Sequence, residues 1–105
     1  RKAGHCMIDS NGSIWSIDHG LTFHKVFKLR TVMLEYCGKQ IPPHLVSDLE
    51  NLADRLESSS EIKMTLTEQT STQEVEALTR RLTTMVKNPT IPILDPYRNV
   101  PWPFV

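Results

Sequence analysis

Ser10-Asn11-Gly12-Ser13, set between the apolar runs Cys6-Met7-Ile8 and Ile14-Trp15-Ser16-Ile17, constrains this chain more than any other stretch. Asn and Gly both tolerate the positive φ of a type I′ turn, so an Asn-Gly pair flanked by apolar residues predicts a β-hairpin. Its arms run over residues 5–9 and 14–18. Antiparallel pairing then lays the two ends side by side and brings His5 near Asp18. The apolar return arm reads as a buried strand that delivers Asp18 to the rim of a core, and Gly20, lacking a Cβ, lets the chain turn sharply just beyond it. Asp18 placed this way is either a solvated turn cap or a carboxylate ligand for a hard cation such as magnesium.

The rest of the chain reads mainly as helix. Residues 21–28 have no clean period and are expected to form a loop. Leu29, Met33 and Tyr36 fall at helical spacing, with Gly38 where a left-handed cap belongs, so a short helix is expected over 29–37. Ile41-Pro42-Pro43 is an extended linker that offers Pro43 to the first turn of the next helix. There Leu45, Leu49, Leu52 and Leu56 form one stripe, predicting an amphipathic helix over 44–57 packed on a core. Ser58-Ser59-Ser60 breaks it. Ile62, Met64 and Leu66 fit either a brief extended piece or a helical turn. Ser71 and Glu74 have the spacing of a capping box, opening a helix over 72–87 with Val75, Leu78, Leu82, Met85 and Val86 on one face. Arg80, Arg81 and Lys87 read as a solvated face that complements the helix dipole. The tail, 89–105, carries five prolines, which exclude helix and central strand, but its apolar content suits an extended strap. The expected class is α+β, a hairpin followed by a mainly helical part and a Pro-rich strap.

At 105 residues the chain is one small domain or one lobe of a larger one. Twelve basic and twelve acidic side chains cancel, and no basic stripe interleaved with aromatics occurs, which argues against nucleic acid as a partner. No apolar run is long enough for a transmembrane helix, and no secretory signal is present. Cys6 and Cys37 are too few for a disulfide framework and read as reduced thiols of a cytoplasmic protein. The chain opens on Arg1-Lys2-Ala3-Gly4-His5 without an initiating Met, so it is expected to be the C-terminal piece of a longer protein. His5, Cys6, His19, His24 and Cys37 are candidate zinc donors, but no close cysteine pair accompanies them. No G-x-S-x-G elbow and no phosphate-cradling glycine loop occurs.

Three segments carry a resemblance: residues 1–8; Ile14-Trp15-Ser16-Ile17-Asp18-His19-Gly20-Leu21-Thr22-Phe23-His24; and Lys28-Leu29-Arg30-Thr31-Val32. Together they resemble the phosphatidylinositol 3- and 4-kinase-like family, in particular a bacterial, chiefly actinobacterial, subgroup. The helix over 71–87 and the ending Pro96-Tyr97-Arg98-Asn99-Val100-Pro101-Trp102-Pro103 look like that subgroup's C-terminal end. The resemblance implies a kinase-like C-lobe fragment spanning 1–105, with a metal-binding Asp-x-Gly turn at 18–20. In the family an Asp-Arg pair opens the catalytic loop. Arg1 matches that Arg, so the acid would lie directly before it. His5 stands where lipid-kinase relatives carry a metal-ligating Asn, and Asp18 matches the metal-binding acid. The implied site is therefore Arg1 and Asp18 as catalytic residues, with His5 and Asp18 toward the metal and cofactor. Magnesium and ATP are implied only with the missing N-terminal part of the same protein, together with an unidentified phosphate acceptor. The fragment alone is expected to be inactive. A non-catalytic, pseudokinase-like interaction module is the second expectation, and a zinc module the third.

Overall fold

The structure is a computed structural model in which residues 3–58 and 60–100 are described. A single helical turn, Ala3–His5, leads into strand β1 (Cys6–Ile8), which pairs antiparallel with β2 (Ile14–Ser16). The register sets Cys6 against Ser16, Met7 against Trp15 and Ile8 against Ile14. The hairpin forms as expected, but its loop is not the two-residue type I′ turn. Gly12 donates to the Asp9 carbonyl at 3.1 Å and Asp9 donates to that of Ser13 at 3.0 Å, and only Gly12 of the loop has positive φ, at 82°. This is a three-residue loop closed by a left-handed glycine. Asp9 is the reason: its Oδ1 accepts from the Asn11 and Ser13 amides, each at 2.9 Å, and its Oδ2 accepts from the Trp15 indole at 2.9 Å. A side chain that satisfies the loop's own amides favours the turn that points them inward.

The return strand is not buried. Residues paired across the ladder share a face, so Met7 and Trp15 lie on one side and Ile8 and Ile14 on the other. Trp15 is 60% exposed and Ile14 72%, so neither face is covered. Among the described residues no third strand joins the sheet.

The core belongs to three helices, α1 (Pro43–Glu57), α2 (Glu61–Gln69) and α3 (Thr72–Lys87). Pro43 occupies the first turn of α1, where its missing N–H costs nothing. The segment left open by its sequence is helix α2, because the Ser60 hydroxyl accepts from the Lys63 amide and starts it. The capping box of α3 is complete: Glu74 N–H donates to Ser71 Oγ at 3.2 Å and Ser71 N–H to Glu74 Oε2 at 3.0 Å. α1 packs on α3, with α2 bridging, and buries Leu56, Val75, Ala77 and Leu82. The leucine stripe of α1 is graded, from buried Leu56 to Leu45, which is exposed.

Residues 29–37 do not form the expected helix; only a single turn, Leu34–Tyr36, does. Competing partners explain this. The Thr31 amide donates to the Asn99 carbonyl at 2.6 Å, Asn99 Nδ2 donates to the Leu29 carbonyl at 2.7 Å, and Thr31 Oγ1 accepts from the Met33 amide. Backbone groups that a helix would pair internally are thus held from outside. Gly38 does adopt positive φ, 76°, as a cap would. Its amide donates to the Ile91 carbonyl, Ile91 donates back to Lys39, and Ile41 donates to Pro89. The first part of the Pro-rich tail is therefore an extended strap against residues 38–41. Beyond it the expectation fails, because Asp95 caps a one-turn helix, α4 (Pro96–Asn99), with Pro96 in its first turn. Residues 101–105 lie outside the described residues.

Candidate functional site

The last backbone bond between the hairpin arms, Ile17 N–H to the His5 carbonyl at 2.9 Å, fixes where the chain leaves the ladder. One residue later the chain turns at Asp18, which has φ 61° and is the sole non-glycine residue in the left-handed region among those described. Asp tolerates that region because its short polar side chain does not crowd the backbone, although such a residue persists only when its surroundings hold it. Gly20, expected to supply the turn, is not left-handed, and a Cβ built on it would meet only Asp18 Oδ1, at 4.0 Å.

His5 and Asp18 are brought together as the hairpin predicts. His5 Nε2 lies 3.3 Å from Asp18 Oδ2, with the imidazole about three-quarters buried and the carboxylate 64% exposed. That spacing suits a direct hydrogen bond. Asp18 is an exposed carboxylate, the kind of oxygen donor that a hard cation such as magnesium would take. Imidazole suits magnesium poorly, so His5 fits better as the group that orients Asp18. Arg1 lies outside the described residues, as does Lys2.

Behind Asp18 the chain folds into consecutive tight turns. Thr22 N–H donates to His19 C=O at 3.0 Å and His24 N–H to Leu21 C=O at 3.2 Å. The His19 ring donates from Nε2 to the Ser16 carbonyl at 2.9 Å, and His24 Nδ1 accepts from the Val26 amide at 3.0 Å. Both imidazoles thus serve their own backbone. Among the described residues no group of three or more His, Cys, Asp or Glu side chains is placed to hold a metal, and Cys6 and Cys37 are free thiols.

Arg81 corrects the reading of α3 as presenting a solvated basic face. Half-buried, it donates through Nη1 to the His24 carbonyl at 3.0 Å and through Nη2 to that of Thr22 at 3.2 Å. Lys25 reaches back to Gln73 Oε1 at 3.3 Å. Position 81 sits beside Leu78, Leu82 and Met85 on the apolar side of the helix, and a cation at that spacing was the signal available in the sequence. Between this loop and the α1–α3 pair lies a cleft of about 890 Å³, floored by Leu49, Leu52, Leu78 and Leu82. Asp18 is the one carboxylate among its described lining residues, which also include Lys28, Arg30 and Arg81.

The fold and site define an α+β chain with an acid-bearing turn at the edge of a cationic, apolar-floored cleft. No family model matches it, and no solved structure matches it. Over 103 residues it is 33% identical to the Mycobacterium tuberculosis protein named Protein Rv2133c, an alignment covering 98% of this chain and 36% of that protein. The chain therefore spans little more than a third of that relative's length. No helix among the described residues is long and apolar enough to cross a membrane.

Proposed function

We propose that this chain is the C-terminal portion of an ATP-dependent phosphotransferase resembling the phosphatidylinositol 3- and 4-kinases, working in the cytoplasm, and that it contributes the magnesium-binding Asp18. The observation that carries the reading is the placement of Asp18: left-handed, directly after a hairpin, exposed, beside His5 and on the lining of a cleft otherwise rich in cations. Catalysis of phosphoryl transfer is mostly positioning and charge stabilisation, so one well-held carboxylate is a sufficient contribution from this part of a site. A magnesium ion, when bound, neutralises charge on the transferring phosphoryl group. Asp18 would hold the ion and His5 would orient the carboxylate. Arg1 belongs to this reading through the resemblance of its catalytic loop. ATP and the acceptor would be shared with the remainder of the longer protein.

In that protein, Asp18→Ala should abolish phosphoryl transfer while moving the thermal midpoint by no more than about 2–4 °C, because the side chain is exposed. An Asp18→Ala protein that still transfers phosphate ends this reading. One observation favours a second reading, a non-catalytic module with a kinase-like fold: the Asp18 carboxylate already has His5 as a partner at 3.3 Å. Calorimetric titration of the wild-type protein with magnesium and ATP separates the two, since the module would bind neither.

A further inference from the structure

We infer that Arg81 is the positioning residue of the Asp18 site: from α3 it fixes the segment behind the left-handed turn and, through it, the direction of the Asp18 carboxylate. The role rests on the phosphotransferase reading; the clamp itself does not.

The guanidinium is a planar fork, and here both of its arms are used on carbonyls two residues apart, those of Thr22 and His24. Charge-assisted bonds of this kind are stronger than neutral ones, and half-burial limits their screening. No carboxylate among the described residues lies within ion-pair distance of Arg81. Its charge is therefore directed at the loop and the cleft. The residues it holds are the ends of the two turns that begin at His19 and Leu21, immediately behind Asp18. Lys25 and Gln73 tie the same loop to α3 two helical turns earlier. Among the described residues the helix supplies most of the buried core, with Val75, Ala77 and Leu82.

Asp18 is thus held from two sides, by His5 on the hairpin and by the Arg81-clamped turns on the helical side. This double hold accounts for a non-glycine residue keeping φ 61° while Gly20, two residues on, is not left-handed. Lysine could not take over, because a single ammonium lacks the fork.

The test compares wild type, Arg81→Lys and Arg81→Gln in the full-length protein, by amide exchange and by manganese titration read as paramagnetic broadening of the Asp18 amide resonance. In both variants the Thr22 and His24 amides should exchange about tenfold faster while those of α3 keep their rates. The manganese concentration giving half-maximal broadening should rise about tenfold, as for other residues that orient a metal ligand. Unchanged exchange at Thr22 and His24, or a uniform rise through α3, overturns the clamp. Faster exchange with unchanged manganese response overturns the positioning role and leaves the clamp standing. Absence of broadening at Asp18 in the wild type overturns the phosphotransferase reading together with the positioning role, and the exchange data still decide the clamp.

Discussion

The hairpin strands and the three-helix unit both carry apolar side chains, yet they are stabilised in opposite ways. α1 and α3 turn their stripes toward each other and bury Leu56, Val75, Ala77 and Leu82, none more than 7% exposed. β1 and β2 point apolar side chains to both faces and bury none of them, with Ile8 73% and Ile14 72% exposed. A helix with one apolar stripe needs one partner, which the chain supplies; a strand apolar on both faces needs two layers, which the described residues do not supply. The hairpin keeps its shape through polar bonds in its loop, and the Asp18 turn is held where the two regions meet.

The largest effect should come from opening the helical core. Leu82→Ala removes an α3 side chain that is 5% exposed and shares the cleft floor with Leu49 and Leu52 of α1. Buried Leu→Ala changes cost about 2–5 kcal/mol, the spread depending on how well the site collapses. Leu82 also lines the cleft, so water can enter the space left behind, and the expected loss is toward the low end, about 2–3 kcal/mol in urea unfolding. A loss below about 1 kcal/mol would show that the α1–α3 contact is not where the stability resides.

A smaller effect should come from titrating the hairpin's polar loop. The Asp9 carboxyl is held below its ordinary value of 3.8 first by the Trp15 indole and then by the Ser13 amide, with desolvation opposing them and the Asn11 amide adding the least. A depressed carboxylate pKa contributes stability that is present above the ordinary value and lost as pH falls through the lowered folded one. Neutral pH therefore leaves the hairpin intact, and acidification below 3.8 should loosen it. The Trp15 indole N–H resonance should shift only in that acid window, and Asp9→Asn should remove the transition. A midpoint above 3.8 in the wild type would contradict the hydrogen-bond account.

Elements governed by local chemistry were legible in the sequence. Pro43 and the leucine stripe marked α1, and the Ser71–Glu74 capping box marked the start of α3 to the residue. The hairpin and the meeting of His5 with Asp18 came from two apolar arms around Asn-Gly. What escaped depended on distant partners. Residues 29–37 have helical spacing, but Asn99, some 70 positions on, takes their backbone groups, and no local pattern announces that. Arg81 read as solvated because its acceptors are carbonyls of a distant loop, and only its place beside Leu78, Leu82 and Met85 pointed away from solvent. Asp9 was the opposite case: an Asp two residues before Asn-Gly is a recognisable loop former, and its claim on the Asn11 and Ser13 amides outcompeted the type I′ turn.

The smallest effect should come from Ile14→Thr, and it sharpens the comparison most. Thr keeps the β-branched shape that suits a strand, so the backbone preference changes little. The side chain lost faces Ile8 across the ladder, and both are more than 70% exposed. In the 105-residue chain the stability should therefore move by no more than about 0.5 kcal/mol, the range of ordinary surface changes. The same substitution in a longer protein carrying this chain tests whether another layer lies over the hairpin. Burying an isoleucine is worth about 1.5–3 kcal/mol, and a hydroxyl left there without a partner adds to the loss. A cost near 0.5 kcal/mol in both contexts means that this face of the hairpin stays in water; a cost of about 1.5 kcal/mol or more that appears only in the longer protein means that the remainder of the protein packs against Ile8 and Ile14.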